Sequence, residues 1–174
     1  MSFPLAYLLT FTCYGSHLHG DARGSIDRDH NCVGGRMVEP NPSWVSESST
    51  IMTDRLYRLV PITRQVLLES MRRVCAQRQW DLLAAHVRTT HVHVVVSAAV
   101  APEPILHNLK AYASRALNES EPSCRRWTRH GSTRYLWTRY DVDAAVDYVI
   151  RRQGEPMAVY CAQADPRSIT VAAP

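Results

Sequence analysis

The sequence predicts an α+β fold, a central antiparallel sheet with helices packed on it. Three observations predict it. Strand-like and helix-like patterns follow one another as strand, helix, strand, strand, helix, strand, helix. Two of those strands, 81–88 and 91–97, are joined by a short link that suggests a hairpin, so they run antiparallel. The chain has 174 residues and no internal repeat, low-complexity tract or linker. It therefore suits one domain over 1–174, given a usual size of about 100–200 residues.

Residues 5–12 read as the first strand. Residues 14–49 carry Gly, Pro, Asn, Asp and Ser throughout and read as a long irregular segment, functional or partly disordered. Residues 62–79 are helical in pattern, with Val66, Leu67, Met71, Val74 and Cys75 on one stripe. After the hairpin, 103–119 is a second helix whose apolar face holds Ile105, Leu106, Leu109, Tyr112, Ala113 and Leu117. Residues 132–138 form an edge-like strand. A third helix over 142–152 turns Ala145, Val146, Val149 and Ile150 inward and stops at Gly154 and Pro156. The tail from about 165 is expected to be loose.

Composition narrows the function classes. No apolar run approaches the roughly 20 residues of a membrane helix. The first twelve residues have no basic leader segment and read as a strand rather than a signal peptide. The cysteines number five, with no C-x-x-C pair, which argues against a disulfide framework or a zinc ribbon. A reduced, cytoplasmic protein without a membrane partner is the expectation. The net charge is +4, with Lys110 the only lysine. Arginine makes bidentate contacts to phosphate, so a nucleic-acid partner is compatible with this charge but not demanded by it.

The chemistry concentrates at His91-Val92-His93, which opens a β-branched strand. Strand side chains alternate, so the two imidazoles share one face and can grip one divalent metal ion. Tyr148, on the last helix, can attack a phosphodiester. Gln153 can add a neutral oxygen ligand, and Mg²⁺ or Mn²⁺ suits such a mixed, partly open site. Further on, arginines (Arg115, Arg125, Arg126, Arg129, Arg134 and Arg139) interleave with Trp127, Tyr135, Trp137 and Tyr140. That mixture suits single strands or hairpin tips, where bases stack and phosphates pair with arginine. Ordinary structural roles account for Tyr148 as a rim tyrosine and for the tryptophans as caps on the core. The loop 17–30 offers Arg23 and Arg28 to phosphates, and its histidines and aspartates allow a second metal site. A structural or DNA-contacting loop is favoured there. Lys110 is expected to reach a DNA phosphate.

These residues resemble the HUH-type single-tyrosine transposases of bacterial insertion sequences, the IS200/IS605 group, and their relatives associated with repetitive extragenic palindromes. The resemblance is carried by His91-Val92-His93 with Val94-Val95-Val96, by 109–115 on the following helix, and by Tyr148 to Gln153. It extends over most of residues 5–160. The segment 14–28 is similar to a signature of one branch of such proteins. The resemblance implies a ferredoxin-like HUH endonuclease fold, His91 and His93 as metal ligands, and Tyr148 as nucleophile forming a 5′-phosphotyrosine. It also implies Mg²⁺ or Mn²⁺, hairpin-containing single-stranded DNA as substrate, a homodimer, and a nucleoid-associated place in the cytoplasm.

One departure stands out. The family's third ligand lies one helical turn after the tyrosine, where this chain has Arg152, and Gln153 follows. On a regular helix Gln153 is turned well away from the Tyr148 face. A widened turn before Gly154 restores it; otherwise Glu155, a histidine of the 17–30 loop or water serves instead. Other readings fare worse. A histidine-triad hydrolase needs a third histidine where Val95 stands. A two-histidine phosphoesterase needs a second His-x-Thr or His-x-Ser strand, which 86–88 and 107–109 do not supply. A domesticated, non-catalytic DNA-hairpin-binding protein is the alternative that survives.

Overall fold

The structure, a computed structural model, describes residues 3–16, 18, 20–22 and 39–164. Its elements run β1 (Ala6–Thr12), α1 (Pro42–Thr50), α2 (Pro61–Gln77), β2 (Asp81–Val87), β3 (His91–Ser97), α3 (Pro102–Asn118), β4 (Ser132–Leu136), α4 (Arg139–Arg151) and β5 (Ala158–Cys161), then a 3-10 turn at Ala162–Ala164. The strands form one antiparallel sheet in the order β4-β1-β3-β2-β5. The expected α+β architecture, the 81–97 hairpin and the edge position of β4 are all present.

Two elements go beyond the sequence expectation. α1 lies inside the segment read as irregular. Asn41 caps it by accepting from the Ser43 N–H, and Pro42 opens it, but it buries no side chain and so has no apolar stripe to betray it. β5 is four residues long and takes up the otherwise open edge of β2. Its signal is too short for periodicity to register.

The sheet has two unequal faces. Alternation sends Tyr7, Leu9, Phe11, Val92, Val94 and Val96 to one face, where Leu67, Met71 and Val74 of α2 and Ile105, Leu109 and Leu117 of α3 complete the main core. The other face is covered by α4 alone. Val142, Ala145 and Val149 pack on Ala6, Ala84, Val95 and Leu136 in a smaller core. Fully burying Val149 contributes about 1.5–3 kcal/mol. α4 starts directly after β4, capped by Thr138 and Asp141, and crosses towards β2, β3 and β5. One helix cannot span a sheet of this width, so Leu8 and Thr10 of β1 and Ser132 to Arg134 of β4 line an open strip beside α4.

Candidate active site

The site lies on the α4 face of β3. Cross-strand pairing places Ser132, Thr10, His93, His86 and Val159 in one row across all five strands, with Thr12 opposite His91. Directly paired residues point to the same face, so this row sits under α4. His91 and His93 share that face as expected, with ring centroids 4.9 Å apart and planes at 75°.

His93 is 6% exposed. Thr10 Oγ1 lies 2.7 Å from its Nδ1, which fixes the ring and leaves Nε2 as the nitrogen able to bind a metal ion. Burial, with the nearby His91 and His86 rings, holds the His93 pKa down at about 4, against a hydrogen bond to the Gln153 side chain, whose accepting oxygen pulls it up. The imidazole is therefore neutral, and ready to act as a ligand, throughout the physiological range. His91 is half-buried, with Thr90 Oγ1 3.2 Å from its Nδ1.

Tyr148 comes to the same point from α4. Its ring meets His93 edge-on, with centroids 5.6 Å apart, and it is 40% exposed, open to a substrate on its outer side. Gln153 also arrives there, by a route periodicity could not foresee. The helix ends at Arg151, and the cap residue Arg152 has already left helical geometry at φ −107°, ψ 17°. Gln153 donates from Nε2 to the Tyr148 carbonyl at 3.3 Å and reaches the His93 imidazole. Gly154 then turns away at φ +73°, a left-handed conformation that favours glycine. Two imidazoles and an amide oxygen make a donor set that fits a hard or borderline divalent ion with open positions. Among the described residues no three His, Cys, Asp or Glu side chains gather around one point. Glu155 is exposed, and its carbonyl accepts from Arg88.

Sequence reasoning missed two supporting residues. Thr10 is one of several hydroxyls on its strand, and only register puts it beside His93. His86 is fully buried, with both ring nitrogens engaged. A carbonyl only accepts, so Nδ1–H donates to the Val149 oxygen at 3.0 Å; Nε2 then accepts the Met157 N–H at 3.2 Å. His86 thus caps the end of α4, one residue past Tyr148, and ties it to the chain entering β5.

The expected DNA contacts divide by position. Arg134 lies on β4, on the α4 face, near the Asp141 carboxylate whose pKa it helps to lower. Arg115 sits on α3, in the opposite layer, over the Tyr112 ring. Lys110 spends its ammonium on the carbonyls of Thr128 and His130, both at 2.9 Å, and burial lowers its pKa to about 8. It fastens the segment leading to β4, an engagement that competes with a phosphate contact. Arg126 is buried and bonded to Asn118 and Pro122, and Trp127 donates to Ser114 beneath the core. Tyr135 and Trp137 stack at 6.3 Å on the exposed edge strand. Arg23, Arg28, most of the 17–30 loop and the tail from 165 lie outside the described residues. No helix among the described residues is long and apolar enough to cross a membrane.

Comparisons with known proteins bear on the family and the fold. A family model described as "Transposase IS200 like" matches residues 51–147, more than half of the chain. A solved REP-associated tyrosine transposase bound to a REP hairpin is 12% identical, covering 87% of this chain and 67% of that one at a TM-score of 0.52. The likeness is one of fold. A chain from Deinococcus radiodurans R1, provisionally assigned as a transposase, is 13% identical, covering 86% of this chain and 91% of that one at a TM-score of 0.45. No curated protein matches the chain.

Proposed function

The chain belongs to the IS200-like transposase family, and from that premise we propose that it is a metal-dependent single-stranded DNA nicking and joining enzyme working through a 5′-phosphotyrosine. The family implies a DNA-cleaving enzyme. The observation that carries the finer reading is the convergence of Tyr148, His91 and His93, with the Tyr148 ring edge-on to His93 at 5.6 Å.

In this reading His91, His93 and Gln153 would hold Mg²⁺ or Mn²⁺, which would supply Lewis-acid polarisation of the scissile phosphate and charge neutralisation at the departing oxygen. Thr10 orients His93, and the low pKa of that ring keeps it unprotonated. His86 and Gly154 fix the end of α4, so Tyr148 and Gln153 stay beside the histidines. The Tyr148 oxygen bonds to phosphorus as the bond from phosphorus to the 3′-oxygen breaks. The phenolic proton passes to solvent, and the departing 3′-oxygen takes a proton from solvent to leave as a hydroxyl. That hydroxyl, or another strand's, can reverse the step, so the phosphoester bond is conserved without ATP.

The substrate is hairpin-containing single-stranded DNA. Arg134, Arg115 and the Arg23–Arg28 loop supply positive charge for it, and Lys110 orders the chain next to it. The solved relative with this fold was bound to a REP hairpin. A single candidate nucleophile suits a homodimer acting on two DNA ends, on nucleoid DNA in the cytoplasm.

The test is a denaturing gel of the protein with labelled hairpin oligonucleotides from the flanks of its own gene, with Mn²⁺ or Mg²⁺. A covalent band that vanishes in Tyr148→Phe and His91→Ala is expected. Tight, metal-independent binding with no band on any flank would refute catalysis and leave a DNA-hairpin-binding protein.

A further inference from the structure

Beside Tyr148 the uncovered half of the sheet forms an open cleft of about 500 Å³. That is within the range of about 300–1,000 Å³ typical of small-ligand sites. One wall is a stripe of α4, Tyr140, Ala144 and Tyr148, spaced four residues apart and so aligned along the helix, with Arg152 at its C-terminal cap. Tyr140 and Tyr148 stand two turns apart, about 12 Å along the axis. Between them Ala144 presents only a methyl group, so the two aromatic side chains bracket a gap. The floor comes from β1 and β4, with Leu8 apolar and Ser132 able to hydrogen-bond.

The charges have one sign. No Asp or Glu lines the cleft, whereas Arg134 and Arg152 both do. Arg152 is held there through Nε by Asp147 at 2.8 Å, which leaves its terminal nitrogens to other partners. Tyr140 is 81% exposed, a large aromatic at the rim that nothing in the core requires. A flat apolar body between two tyrosines, hydroxyls below and guanidinium groups at the mouth match one chemistry: an unstacked nucleobase with its flanking phosphates.

We propose that this cleft is a nucleotide subsite, in which one unpaired base next to the scissile phosphate lodges between Tyr140 and Tyr148 over Ala144, with Arg134 and Arg152 on the backbone phosphates. The adjacency to the scissile phosphate rests on Tyr148 being the nucleophile; binding of the base does not. The subsite sets which phosphate faces Tyr148 and which neighbouring base is preferred.

The experiment uses the full chain carrying Tyr148→Phe, without metal, so that neither chemistry nor the metal site contributes. Anisotropy of a short labelled oligothymidylate is measured with Ala144 and with Ala144→Leu, which fills the gap. Loss of one stacked base predicts about tenfold weaker binding in the leucine variant. An oligothymidylate bearing 5-iododeoxyuridine is then photo-crosslinked to the Ala144 protein, so the result does not depend on the variant folding. Crosslinks at Tyr140 are expected. Unchanged affinity in a folded Ala144→Leu protein, or crosslinks only at Tyr135 and Trp137 on the edge strand, would overturn the subsite. A covalent adduct in the gel assay alongside either result would leave the nuclease reading intact and remove the subsite alone. No adduct, with Tyr140 crosslinked, would keep the subsite and remove the chemistry.

Discussion

Replacing His86 by alanine tests whether α4 is held by a buried imidazole. The ring has no exposed surface and bonds to the Val149 carbonyl at 3.0 Å and the Met157 N–H at 3.2 Å. Alanine removes both partners at once, and a buried polar group left without one costs about 1–3 kcal/mol. The expected loss is therefore about 2–6 kcal/mol, a large share of a typical folding stability of about 5–15 kcal/mol. His86→Asn keeps a donor near the position of Nδ1 and should recover about half of the loss. Urea unfolding measures both: the midpoint falls while the slope is unchanged. Hydrogen exchange at the Met157 amide should accelerate in both variants. A loss below about 1 kcal/mol in His86→Ala would refute the reasoning, because solvent would then be satisfying those groups. The same substitution frees the end of α4, so adduct formation should fall further than stability alone explains.

Other expectations follow from the same geometry. Thr10→Val removes the hydroxyl that orients His93 and should weaken Mn²⁺ binding by about 10- to 100-fold in calorimetry, with no change in far-UV dichroism; unaltered affinity would remove Thr10 from the site. The metal-free protein should lose stability in acid. The folded pKa of His93 is lowered to about 4 from an ordinary 6.5, so between those values the unfolded chain binds more protons. Stability is complete above about pH 6.5 and falls with pH down to about 4, by up to about 3 kcal/mol. A flat profile across that window in urea titrations contradicts the buried, neutral ring. Gly154→Ala places a β-carbon on a residue at φ +73° and should cost about 1–2 kcal/mol in urea unfolding, although its nearest neighbour, Arg88 Nη2, is 3.7 Å away and steric room is ample. Lys110→Met should lower the melting temperature but leave the slope of log affinity against log salt unchanged, since the ammonium serves two carbonyls; a slope reduced by about one would return Lys110 to the DNA.

The local geometry of the histidine strand was legible in the sequence because it is local. Alternation is built into an extended chain, so His91 and His93 had to share a face wherever the strand lay. The helical stripes of 62–79 and 103–119 were legible for the same reason, and the hairpin followed from its short link. The five-stranded order, the row from Ser132 to Val159 and the roles of Thr10 and His86 were not. They depend on which residue of a distant strand comes opposite, and a slip of one position would turn each to the other face. Gln153 shows the limit most directly. Helical phase sends it away from Tyr148, and only where α4 stops, set by the His86 cap and the Gly154 turn, does it come back to His93. The sequence by itself determined the chemical groups, two imidazoles and a phenol in a fixed order along the chain. The tertiary structure decided that they meet, because meeting is a matter of register and helix termini, which only long-range packing and hydrogen bonding select.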